Sequence, residues 1–253
     1  MPIDTINASQ EFPPATSEVP DDARSLKAAA RIAGILYVVM AMVMIVAFMY
    51  VPSMFIVSGD ATATARNITD RTFIYRLGLL GALTSHILFI LVVLMLYNLF
   101  KNVDRKQARL MAALVLVGVA VELANLLNRA APLVLLSGAD FLAPFTKAQL
   151  DALAFTFIRF GNTLGQIAIA LWGLWLIPFG TLTIKSGFFP KIFGILLYVA
   201  GFAYLIGCIT NLVFPNYMGA LSPFLFPLYM GELGIVLWMA VMGAKAPERR
   251  FVS

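Results

Sequence analysis

Leu110–Leu136 reads LMAALVLVGVAVELANLLNRAAPLVLL, 27 residues in which only Glu122, Asn125, Asn128 and Arg129 carry polar side chains of any size. No strand-like alternation runs through it. As a helix it would extend about 40 Å at 1.5 Å per residue, more than the roughly 30 Å of a bilayer's hydrocarbon core. A helix satisfies every backbone group without water, which is the condition for crossing lipid. The stretch is therefore a membrane span, and the four polar residues in it need a reason to be there.

The rest of the 253-residue chain agrees. It is 61% hydrophobic and 12% charged, with a mean hydropathy of +0.89. A soluble domain carries about 25% charged residues, and a water-soluble globule of this size has nowhere to hide so much apolar surface. This excludes a cytosolic enzyme, a nucleic-acid-binding domain and global disorder. The formal charge of +5 sits in Lys and Arg that flank apolar stretches, so it reads as topology and not as a polyanion-binding surface. The single Cys208 and single His86 leave no internal disulfide and none of the usual multi-ligand metal sites, and no cofactor is expected.

Six apolar stretches are long enough to cross: Ile32–Val57, Leu77–Phe100, Leu110 to about Leu136, a fourth that ends near Thr183, Lys191–Phe214, and about Pro223–Gly243. The fold class is thus all-α, an integral membrane bundle of six transmembrane helices. Twelve Lys and Arg fall on one side of this topology and six on the other, which places both termini in the cytoplasm. Residues 1–24 read as a disordered cytoplasmic tail, 25–245 as the six-helix domain, and 246–253 as a short basic cytoplasmic tail. Asp60 is placed to cap a short interfacial helix, ATATARNI. Thr146 and Gln149 form a capping-box pattern. A helix from there to Thr183 would measure on the order of 55 Å, so the third and fourth helices are expected to protrude on the outer side. Pro178, Pro223 and Pro227 predict kinks or late starts. The Met residues are expected to fill gaps.

Ionisable groups at the bilayer centre cost roughly 2.5–3.5 kcal/mol each unless they turn inward and find partners. Glu122, Asn125 and Arg129 share one face of the third span, spaced i, i+3, i+7. Arg159, Asn162 and Gln166 repeat that spacing in the fourth. His86 lies in the second span, Asn211 in the fifth and Glu232 in the sixth. Together these nine residues are the expected lining of a polar pocket open to the outer side, with Glu122 pairing with Arg129 or Arg159, and Glu232 with His86. Gly161 and Gly165 have the small-xxx-small spacing that lets helices approach closely, read here as packing within the bundle. No phosphate loop, zinc motif or nucleophile elbow occurs, and no catalytic residue is assigned.

Three stretches carry a family resemblance: Ser58–Ile68 (SGDATATARNI) with Arg76-Leu77-Gly78; Leu96–Phe100 (LYNLF) with Val103-Asp104-Arg105; and Leu174–Tyr204, LWLIPFGTLTIKSGFFPKIFGILLYVAGFAY. In these the chain resembles the bacterial multi-pass membrane family known as domain of unknown function 4386, across about residues 25–245. The resemblance implies the bacterial inner (cytoplasmic) membrane and brings no chemistry with it. Three readings stay open at this stage. The favoured one is binding or moving a small solute or protons through the polar pocket. The second is a membrane-embedded enzyme acting on a lipid or isoprenoid, with Glu122 and His86 as acid and base. The third is a structural or regulatory partner. The expected partners are the lipid bilayer, a small-molecule or lipid ligand, and a second copy of the chain; nucleic acid is not among them.

Overall fold

The computed structural model describes residues 21–245, with side chains from Arg24 onward. The two expected tails therefore lie almost wholly outside the described residues. Six helices in it are long and apolar enough to cross a membrane, and no strand occurs among the described residues.

The first span is not one regular helix. Helix α1 (Asp21–Ile45) runs through a wide π-turn (Val46–Tyr50) into the short α2 (Val51–Phe55). Within it the Val51 N–H reaches five residues back, to the Val46 carbonyl. Pro52 supplies the cause: its ring would meet the Phe48 carbonyl in a regular helix, and widening the preceding turn relieves the clash. An amphipathic helix follows, α3 (Ala61–Asp70), capped by Asp60 Oδ1, which accepts from the Ala63 N–H at 2.8 Å. The expected cap is borne out because it needs only neighbours in sequence.

Helix α4 (Thr72–Phe100) crosses next, then α5 (Arg105–Leu135) and the long α6 (Lys147–Ser186). Both halves of the capping box at the start of α6 form: the Gln149 N–H donates to Thr146 Oγ1, and the Thr146 N–H donates to Gln149 Oε1 at 2.8 Å. At 40 residues, α6 measures about 60 Å, twice the hydrocarbon thickness. It ends at Gly187, whose φ of 67° gives the left-handed stop that glycine tolerates best. Pro190 then occupies the cap position, one residue before helix α7 (Lys191–Val213) begins.

The sixth span departs most from expectation. It begins before Pro223, as α8 (Pro215–Tyr229), and breaks at Met230 before resuming as α9 (Gly231–Met242). Pro223 and Pro227 inside α8 withhold two N–H groups from the helix, and the regular bonding breaks at Met230, which keeps right-handed helical dihedrals (φ −71°, ψ −8°).

The spans close into a ring in chain order: α1 packs on α4, α4 on α5, α5 on α6, α6 on α7, α7 on α9, and α9 back on α1. Short connections between antiparallel neighbours favour this order. The end bearing both described chain ends is solid. There Phe100, Trp175, Phe179, Phe188 and Phe189 stack and edge together at centroid distances of 5.2–6.3 Å. The opposite end is covered by a small second core in which Phe55, Ile68 and Ile158 bring α2, α3 and α6 together. Between the two, the middle of the ring is not filled.

Candidate functional site

Two separate places emerge where the sequence suggested one. The first is a polar seam between α5 and α6. Asn125 is fully buried; its Nδ2 donates to the Gly161 carbonyl at 2.9 Å and to Glu122 Oε2 at 3.3 Å. Asn128 Nδ2 donates to Asn125 Oδ1 at 3.3 Å. These contacts form where Gly161 and Gly165 face α5: a Cβ on Gly161 would lie 3.5 Å from Asn125 Oδ1 and one on Gly165 3.7 Å from Glu122 Oε1, both ordinary contact distances. The small-residue pair is helix packing, as expected.

That choice of interface corrects the sequence reading of α6. Turning Gly161 and Gly165 toward α5 rotates Arg159, Asn162 and Gln166 away from it, at 100° per residue. Arg159 and Asn162 are exposed and Gln166 is half-buried. Arg159 is 27 residues from Ser186, about 40 Å along the axis, so it clears the hydrocarbon layer and needs no buried partner. No ion pair joins Glu122 to Arg129 or Arg159, or Glu232 to His86, among the described residues. Nothing brings Glu122 and His86 together as an acid–base pair. Asn211 is half-buried toward the far end of α7 and borders neither of the cavities described next.

Arg129 and His86 do meet, indirectly, through a residue the sequence reading passed over. The Arg129 guanidinium lies 4.5 Å over the Phe48 ring, and His86 meets the same ring edge-on at 5.6 Å. The π-turn carries Phe48 to this point. His86 Nδ1 lies 2.7 Å from the Ala82 carbonyl, so Nδ1 bears the proton. The Tyr75 hydroxyl donates to the Arg129 carbonyl at 2.7 Å, while Arg129 Nε is buried without a hydrogen-bond partner. Beside Arg129 is a void of about 40 Å³, bordered by Tyr75, Ala82, Ile158 and Asn162. That volume suits water and no larger solute.

The second place is the unfilled middle of the ring, a cavity of about 350 Å³. Tyr37, Phe48, Phe89, Trp172, Trp175 and Tyr204 give it aromatic walls, and Met40, Met44 and Met49 complete the α1 side. Glu232 borders it from the first turn of α9, beside the break at Met230. The carboxylate is half-buried and has no hydrogen-bond or ion-pair partner among the described residues. No Lys, Arg or His borders the cavity. Tyr229 stacks on Tyr204 at 4.5 Å, nearly parallel, and so braces the break against α7. Ile45, Met49, Met230 and Leu233, all exposed, form the rim. The mouth therefore faces sideways through an apolar rim, not through a polar opening at the outer end.

Phe48 is the partition between the two places, touching Arg129 and His86 on one side and bordering the cavity on the other. The missed residues are the mid-span aromatics, which the sequence reading gave no role in a site, and the Met residues, which it treated as filler. Pro52 inside the first span, and Tyr204 and Tyr229 far from any interface, are the signals that point to them.

A closed ring of six apolar helices with one broken span defines a multi-pass integral membrane protein. Residues 32–243 match the model of the Domain of unknown function (DUF4386) family, and the chain belongs to that family. No curated protein and no solved structure matches it.

Proposed function

We propose that this protein binds a small lipophilic solute in the cavity beside Glu232, from within a bacterial cytoplasmic membrane in which both chain ends face the cytoplasm. The observation that carries the reading is a space of about 350 Å³ at the helix break, bordered by a carboxylate without a partner. Solute pockets are concave and mostly apolar, with few polar groups, and span roughly 300–1,000 Å³. Discontinuous spans near mid-depth are where membrane proteins place such sites. The lateral apolar rim supports entry from lipid. The aromatic stack of Trp175, Phe179 and Phe100 closes the path toward the chain ends, which favours binding over passage through the bundle in this conformation. The positive flanks, twelve Lys and Arg against six, support the orientation.

Ala41 borders the cavity and offers a clean test. Ala41→Phe extends a ring into the space. In detergent, wild type should show a saturable rise in melting temperature with 1-naphthalenemethanol, a neutral aromatic probe. Ala41→Phe should lose that response and, by filling space, melt at a temperature equal to or above wild type; cavity filling commonly contributes about 0.5–2 kcal/mol. An unchanged probe response in the variant would contradict the reading.

A further inference from the structure

We propose that the solute is an organic cation, an ammonium with aromatic or bulky aliphatic substituents; this rests on the cavity reading above. Three features point to it. Among the described residues, Glu232 is the only acidic group bordering the cavity, and no basic residue borders it. A carboxylate held at mid-depth needs either a proton or a counter-cation, and no counter-cation pairs with it among the described residues. Arg129, on the other side of Phe48, is already seated on that ring.

The walls are the second feature. Tyr37, Phe89, Trp172 and Trp175 surround the space with ring faces and edges, at centroid separations of 5.2–6.3 Å from one another. Aromatic faces attract cations that have shed water, quaternary ammonium above all. A stack of Tyr204 on Tyr229 stands at the same break as Glu232. Met40, Met44 and Met49 add polarizable thioethers that adapt to varied shapes.

Position is the third. Glu232 stands in the first turn of α9, where the free N–H groups of a helix start favour an anion. The break thus provides a reason for the charge as well as the room beside it. A neutral solute would use the walls and leave the carboxylate idle; a cation uses both.

The test compares benzyltrimethylammonium with its neutral carbon isostere, neopentylbenzene. Titration calorimetry on the full chain in phosphatidylcholine nanodiscs, with empty nanodiscs as the blank, reads binding of each. The expected result is saturable binding of the cation at least about tenfold tighter than that of the isostere. Glu232→Gln should lower cation affinity by about tenfold or more and leave the isostere unchanged. If the isostere binds as tightly as the cation in wild type, the cation assignment is overturned while the cavity reading stands. The same holds if a folded Glu232→Gln keeps full cation affinity. The wild-type comparison decides the matter without any variant. If neither compound binds, both readings fall.

Discussion

At the scale of single residues, Asp104 is held from both α5 and α6. It caps α5, accepting from the Lys106 and Gln107 N–H groups at 3.1 Å, and it forms a 2.7 Å ion pair with Lys185 in the last turn of α6. The Lys185 ammonium, with those backbone donors, holds the Asp104 carboxyl below the usual carboxylate range. A depressed carboxylate stabilises the fold above its unfolded pKa, about 3.9, and loses that contribution as pH falls through the folded value. Asp104→Asn keeps a competent cap but removes the charge. Melting temperature measured against pH below about 4 should therefore fall less steeply for Asp104→Asn than for wild type; parallel curves would refute the assignment. The caps at Asp60 and Thr146 were legible in sequence, since their partners lie within three residues; the Asp104 cap was not read from it. Arg159 was not legible. Spacing shows which residues share a face but not which face turns inward, and here the side bearing Gly161 and Gly165 meets Glu122 and Asn125 of α5. Glu232 was legible as a carboxylate within the sixth span, but not as one without a partner.

At the scale of elements, helix length and number followed from apolar run length, because a bilayer imposes a minimum span. The irregularities did not follow so directly. The π-turn needed Pro52 to be weighed against the Phe48 carbonyl, and the break at Met230 needed two prolines to be read as one device. Close approach between helices is the least legible feature, since it depends on which small residues face each other. On α6 and α7, Gly173 faces Gly201 and Gly180 faces Gly194; a Cβ on any of the four would stand 2.8 Å from the partner's carbonyl oxygen. Backbone cannot swing aside as a side chain does. Gly180→Ala and Gly201→Ala should each destabilise by about 1–3 kcal/mol, the usual cost of overpacking. Gly219 is the internal contrast, a helical glycine with open space around it. There Gly219→Ala should stabilise by about 0.4–1 kcal/mol. Reversible unfolding in mixed detergent checks both signs, and equal effects at the three positions would contradict the facing-glycine geometry.

At the scale of the whole molecule, six spans form a ring whose chain-end half is packed with aromatic rings and whose far end is covered by α3 against α2 and α6. The open middle between them is the feature from which the functional account grows. A ring of this kind was foreseeable from six spans with short connections; its hollow centre was not, because it arises from a π-turn and a proline-driven break on neighbouring spans. The two intramembrane carboxylates then have opposite environments. Glu122 is held by Asn125 in a tight seam, whereas Glu232 looks into the cavity. Dicyclohexylcarbodiimide, a lipid-soluble reagent for carboxyl groups, distinguishes them in the intact protein in membranes, read by peptide mass spectrometry. The account predicts an adduct on Glu232, none on Glu122, and loss of the Glu232 adduct in Ala41→Phe. An unmodified Glu232, or equal labelling of both carboxylates, would contradict it.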